Sequence, residues 1–211
     1  MNNISYAVTA VVMAACCGVY IKQKQTEKRK SLIFKALATF MAVICAAANA
    51  FCSQNTYSWL IVAAVTCCMT ADVLLEILFE AGAALFGIAH ICFIAAVILH
   101  NSIRWYTVGI ALILMICFLT ALGKYLPKMG KLLIPGIIYV LLLCSMAGCF
   151  ISAAIQQPTM TSVTSAIGAA FFVLSDFALA KNALEEKKGI RRDVIVLTLY
   201  YAAVYLIAFQ K

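Results

Sequence analysis

Charge is scarce in this sequence. Of 211 residues only 11% are Asp, Glu, Lys or Arg, where a soluble domain carries about 25%, and 65% are hydrophobic. No water-soluble fold hides that much apolar surface. Histidine is scarcer still: the two present, His90 and His100, stand ten apart, and no C-x-x-C occurs among the ten cysteines. A zinc or iron centre would have little to bind it, so no cofactor is expected. Only three prolines interrupt the chain, which leaves its apolar runs free to form continuous helices.

Those runs lie at about 5–21, 33–51, 57–75, 79–99, 105–122, 132–155, 161–180 and 194–210. A helix needs roughly 20 mainly apolar residues to cross the hydrocarbon core, and in lipid every backbone polar group must be satisfied internally. The runs are too long and unbroken for barrel strands. The expected architecture is therefore all-α: one transmembrane domain, residues 1–211, of about eight helices. Pro135 and Gly136 are expected to kink the sixth helix or to set its first turn. Cys45, Cys67, Cys68, Cys92, Cys117 and Cys144 fall inside the runs and read as small core residues.

Sixteen Lys and Arg against eight Asp and Glu give a charge of +8, but the basic residues sit in short runs between apolar stretches, as juxtamembrane charge does. Membrane lipid, not nucleic acid, is the partner this implies. The connections after the first, fifth and seventh helices carry Lys22, Lys24, Lys28, Arg29 and Lys30, then Lys124, Lys128 and Lys131, then Lys181, Lys187, Lys188, Arg191 and Arg192. Lys35 joins them at the mouth of the second helix, while Arg104 and Lys211 fall on the opposite side. The positive-inside rule then predicts a multi-pass protein of the cell membrane with both termini extracytoplasmic. The first run has no basic residue ahead of it and five behind it, the reverse of a secretory signal.

Two carboxylates stand inside the apolar runs. Ala71-Asp72-Val73-Leu74-Leu75 in the third helix and Ser175-Asp176-Phe177-Ala178-Leu179 in the seventh share a small-Asp-x-x-Leu pattern at equivalent places in two four-helix halves, which suggests parallel repeats. Each Asp lies three or four residues short of the basic end of its run, so the two are expected at one depth. Intramembrane Asp residues face the bundle interior or a wet cavity and are functional candidates by default. Two carboxylates close together in a low-dielectric pocket tend to share one proton, which suits general acid and base catalysis. Hydrolysis through an oxocarbenium-like intermediate, aspartic-protease chemistry and proton-coupled transport all fit, as does a structural pair capped by Lys35 or Lys181.

Other polar groups cluster near that level: Lys35, Glu80 and Ser175, with Glu76 read as a solvated interfacial charge. His90 falls near the bilayer centre and His100 at the outer edge. Tyr200, Tyr201 and Tyr205 line a pocket or anchor the interface.

Several motifs then stand together. Ala71-Asp72-x-x-Leu75, the run Phe79-x-x-Gly82-x-x-x-Phe86-x-x-x-His90, and Gly168-Ala169-x-x-Phe172-x-x-Ser175-Asp176-x-x-Leu179-Ala180, with Tyr200-Tyr201 in the last helix, resemble the lysoplasmalogenase family of YhhN-type eight-helix membrane proteins. The resemblance spans nearly the whole chain. It implies hydrolysis of the vinyl ether of a lysophospholipid to a fatty aldehyde and a glycerophospho-alcohol, with Asp72 and Asp176 catalytic and Lys35, Glu80, His90, Ser175, Tyr200 and Tyr201 around the substrate. The chain departs from the family pattern at Ala71, where Gly is usual, at Ala36 in place of Pro and at Val204 in place of Gln. Gly-x-Gly-Asp and Pro-Ala-Leu, which mark intramembrane aspartic proteases, are absent. A small transporter using the same carboxylates is the alternative to the hydrolase.

Overall fold

The computed structural model describes residues 3–24, 26–185 and 189–209. Of the residues counted above, Lys187, Lys188 and Lys211 lie outside them. The described residues form eight α-helices: α1 (Asn3–Gln23), α2 (Lys28–Ser53), α3 (Thr56–Ile77), α4 (Phe79–His100), α5 (Trp105–Leu122), α6 (Leu133–Gln156), α7 (Met160–Leu184) and α8 (Ile190–Ala208). A 3-10 segment, Gly123–Leu132, joins α5 to α6. Six stretches are long and apolar enough to cross a membrane; one of them, Trp105–Gln156, runs through α5, the 3-10 segment and α6. α8 is not among the six, and its first turn carries Arg191, Arg192 and Asp193.

The helices extend further than the apolar runs do. α2 starts five residues early and takes in Arg29 and Lys30, and α7 runs on through Lys181 to Leu184. Hydropathy detects only the apolar part of a helix, whereas backbone hydrogen bonding continues into the polar rim. Pro135 occupies the third position of α6, where the missing N–H has no intrahelical partner to lose. It sets the first turn without kinking the helix.

These helices are apolar nearly all round, a pattern that belongs to buried or lipid-facing helices. Val11, Ile44, Trp59, Ile91, Ile113 and Leu141 all stand exposed on the outside. The interior uses small residues: Ala38, Ala42, Ala46 and Ala50 recur every fourth position of α2 and are fully buried. Small residues allow close helix contact where lipid removes the hydrophobic drive to associate. Cys45, Cys68 and Cys144 are buried as expected, Cys67 and Cys92 are half-buried, and Cys117 is exposed. It faces outward from α5, a surface as apolar as the core, so composition cannot tell the two apart.

Neighbouring helices close a ring in the order α1, α2, α3, α4, α6, α7, α8, with α8 returning onto α1, α2 and α3. α5 stays outside, packed on α6. The chain passes from α3 to α4 through Leu78 alone. Gly82 permits that hairpin, since a Cβ there would lie 2.5 Å from the backbone nitrogen of Leu75.

The two ends of the bundle differ in chemistry. At the basic end Lys24 Nζ lies 3.2 Å from Asp193 Oδ2 and Arg192 binds Glu185 at 3.0 Å. Tyr125 of the 3-10 segment donates to the other Glu185 oxygen. The opposite end is uncharged apart from Arg104 among the described residues, and its ties are neutral: Tyr6 donates to Asn49, and Asn49 donates to the Ala208 carbonyl at 3.0 Å.

Candidate functional site

Asp72 belongs to a buried line on α3 made by Ala64, Val65, Cys68, Ala71 and Asp72. This is the spacing of one helical face. α7 repeats the device with Ser165, Gly168, Ala169, Phe172 and Asp176. Both carboxylates are therefore carried inward by the same stripes that build the core, and they are 2% and 8% exposed. They lie within electrostatic reach of each other and of the buried Cys68. Asp72 stands five residues before the end of α3 and Asp176 eight before the end of α7. The distances differ more than the three and four residues read from the apolar runs because α7 continues further into the rim.

Each carboxylate is held by hydroxyls from neighbouring helices. Asp72 Oδ2 accepts from Thr39 of α2 and, at 2.8 Å, from Tyr200 of α8. Asp176 Oδ2 accepts from Tyr139 of α6. Between them lies an aromatic layer. The Phe172 ring is 5.6 Å from Tyr200 and 5.0 Å from His90, and His90 is 5.4 Å from Tyr139. Phe86, one turn before His90, closes the layer against both Phe172 and Tyr200. His90 is fully buried, with Nε2 3.4 Å from the Tyr139 hydroxyl.

A charged group borders this layer at the basic end. Lys35 Nζ, its side chain 7% exposed, lies 3.5 Å from Glu76 Oε1 and within electrostatic reach of Asp72. Glu76 is also held by Tyr20 at 2.9 Å and approached by Lys24 at 3.6 Å. Glu76, one turn beyond Asp72, is thus not the solvated interfacial charge the sequence suggests. It lies on the inward face of α3, and helices α1 and α2 supply its partners.

The residues named from the sequence separate into two groups. Asp72, Asp176, His90, Tyr200 and Lys35 come together, and the Tyr201 ring lies tilted beside that of Tyr200 with centroids 5.3 Å apart. Ser175 does not join them, because its hydroxyl donates to the Val196 carbonyl at 3.0 Å and ties α7 to α8. Neighbouring helical residues point about 100° apart, so Ser175 and Asp176 face different helices. Glu80 is exposed in the first turn of α4, and His100 is exposed at its last residue. Tyr205 donates to the Tyr6 carbonyl and serves the α1 contact. Lys181 is exposed and caps neither Asp.

Sequence reasoning missed Thr39 and Tyr139. Each is one of three hydroxyl residues in a largely apolar helix, and the signal that would find them is positional: Thr39 lies four residues after Lys35 on α2, and Tyr139 four after Pro135 on α6. Among the described residues no group of three His, Cys, Asp or Glu is placed to hold a metal ion. A cavity of about 490 Å³ opens at the opposite end of the bundle, between Arg104, Trp105, Tyr106, Gln156 and Asn101. It is remote from the carboxylates.

No curated protein and no solved structure matches the chain. The model of the YhhN family matches residues 30–210, from the start of α2 through α8 and so across every helix that supplies the carboxylates and their hydroxyl partners; the chain belongs to the YhhN family, the family of lysoplasmalogenases.

Proposed function

We propose that this chain is an integral membrane hydrolase of lysoplasmalogenase type, crossing the membrane eight times with its basic end in the cytoplasm. The observation that carries the reading is the pair of buried carboxyls, Asp72 and Asp176, each gripped by a hydroxyl from a neighbouring helix and linked through a layer of aromatic rings. Family membership supplies the reaction class. The eight crossings are supported by the long Trp105–Gln156 stretch, which holds two helices, and by the apolar remainder of α8.

The helix contacts also support two related halves. Pairing α1–α4 with α5–α8 matches the contact α1–α2 with α5–α6, α2–α3 with α6–α7, α3–α4 with α7–α8, and α4–α6 with α8–α2. On that pairing Thr39 corresponds to Tyr139 and Asp72 to Asp176.

The chemistry needs two proton carriers in a dry site. One carboxyl gives its proton to the outer vinyl carbon; a C–H bond forms as the double bond breaks, and the ether oxygen and its carbon become an oxocarbenium ion. The other carboxylate takes a proton from water as the water oxygen bonds to that carbon, giving a hemiacetal. The carboxylate that gave up its proton then takes the hemiacetal hydroxyl proton, while the other carboxyl protonates the glycerol oxygen as its C–O bond breaks, releasing a fatty aldehyde and a glycerophospho-alcohol. One water is consumed and the carboxyl protons are restored. In this reading Lys35, beside Asp72 at the cytoplasmic rim, meets the lipid phosphate.

Purified protein supplied with a 1-alkenyl lysophospholipid should release fatty aldehyde. Asp72→Asn and Asp176→Asn should each lower that rate by about 10²-fold or more, the usual contribution of a general acid or base, with thermal unfolding showing the variants folded. Full activity in either variant refutes the role. Flux of the lipid into proteoliposomes without aldehyde would favour transport instead.

A further inference from the structure

His90 carries an unused hydrogen-bonding atom. Tyr139 has one hydroxyl proton and commits it to Asp176, so its oxygen is left to accept, and the partner at 3.4 Å is His90 Nε2. That contact requires the proton on Nε2 and leaves Nδ1 as a bare lone pair. Nδ1 is fully buried and has no protein partner among the described residues. A buried acceptor without a donor is costly, and this one sits in the aromatic layer between the two carboxyls. What it lacks is an O–H or N–H donor, and its position ties that donor to the Asp176 side of the site through a single tyrosine.

A lysolipid vinyl ether brings such a donor. Its free hydroxyl stands on the carbon next to the one that bears the ether oxygen, so a substrate whose vinyl group meets Asp176 presents that hydroxyl to the neighbouring group. We infer that His90 Nδ1 accepts the hydrogen bond of this adjacent hydroxyl and is the group through which the site reads it. The inference rests on the hydrolase reading above and adds a specificity-determining residue to it. Phe172 and Tyr139 fix the imidazole plane on two sides, so the lone pair is held in place before substrate arrives. A site built to bond a substrate hydroxyl discriminates against the analogue lacking it, because the site's own polar atom is then left unpaired.

The test compares a 1-alkenyl glycerophosphoethanolamine with the analogue carrying hydrogen in place of the adjacent hydroxyl, which adds no bulk. Wild-type kcat/KM should favour the hydroxylated substrate by about tenfold to a hundredfold. His90→Phe should bring the ratio close to one, whereas His90→Asn, whose Oδ1 falls near the place of Nδ1, should restore part of it. Equal wild-type rates on the two substrates overturn this inference and leave the hydrolase reading standing. So does an unchanged ratio in His90→Phe. Absence of aldehyde from both substrates overturns the hydrolase reading and this inference with it. The wild-type ratio decides the matter if His90→Phe fails to fold.

Discussion

Two hydroxyls converge on a single oxygen of Asp72, and that convergence makes a quantitative prediction. Thr39 and Tyr200 come from α2 and α8, are fully buried and 5% exposed, and both donate to Oδ2. A hydroxyl bonded to a carboxyl in such surroundings contributes about 1–3 kcal/mol. Thr39→Val and Tyr200→Phe keep shape and remove one donor each. In either single variant the remaining hydroxyl still satisfies Oδ2, so the loss should fall at the lower end, about 1 kcal/mol. The double variant leaves Oδ2 with no donor and adds the desolvation cost of an unpaired buried oxygen. The double loss should therefore exceed the sum of the singles by about 1–2 kcal/mol, within the range seen for residues sharing a network. Equilibrium unfolding of the four proteins in mixed micelles measures it. Additivity within about 0.5 kcal/mol would show that the two hydroxyls do not share the oxygen, and the geometry of the Asp72 site would have to be redrawn.

The remaining predictions concern the frame that holds the site. Gly82→Ala places a Cβ 2.5 Å from the Leu75 nitrogen and 2.7 Å from its Cα; backbone yields less easily than a side-chain tip, so a loss of about 1–3 kcal/mol should appear as a lowered unfolding temperature. Gly109→Ala in α5, where nothing lies within 4 Å of the new Cβ, should be neutral or stabilising by up to about 1 kcal/mol, and equal behaviour of the two variants would refute the tight α3–α4 contact. Cys52 is exposed near the end of α2 that lies opposite the basic rim. As the sole cysteine it should react with a membrane-impermeant maleimide in intact cells, and labelling only after permeabilisation would reverse the proposed orientation.

The sequence makes the helical frame readable because lipid demands long uninterrupted apolar runs and little else. It makes Asp72, Asp176 and His90 readable for the same reason, since an ionisable group in such a run has few explanations. Direction was harder. Ser175 adjoins Asp176, yet helical rotation sends it to α8 and leaves it to bind the Val196 carbonyl. Glu80 follows the turn by two residues, and because that turn is Leu78 alone, α4 is still emerging from the rim where Glu80 stands exposed. Glu76 reads as solvated because its partners lie elsewhere in the chain, Tyr20 on α1, Lys24 in the turn that follows it and Lys35 on α2. Thr39 is weakly signalled, since a threonine hydroxyl in a membrane helix can satisfy itself on its own backbone, as Thr66 does with Val62, and a tyrosine such as Tyr139 is common as an interfacial anchor.

The single-residue joint between α3 and α4 has a mechanical consequence. With Gly82 lying against the Leu75 backbone, the two helices have no slack at their junction and form a stiff prong, with Asp72 on one tine and His90 on the other. Such a prong can tilt as a unit but has no loop to act as a hinge, so the offset between these two groups is held by the packing of α3 on α4. A substrate admitted beside the prong would then be accommodated by the helices packed around it, α2, α6 and α8, against a stationary reference edge.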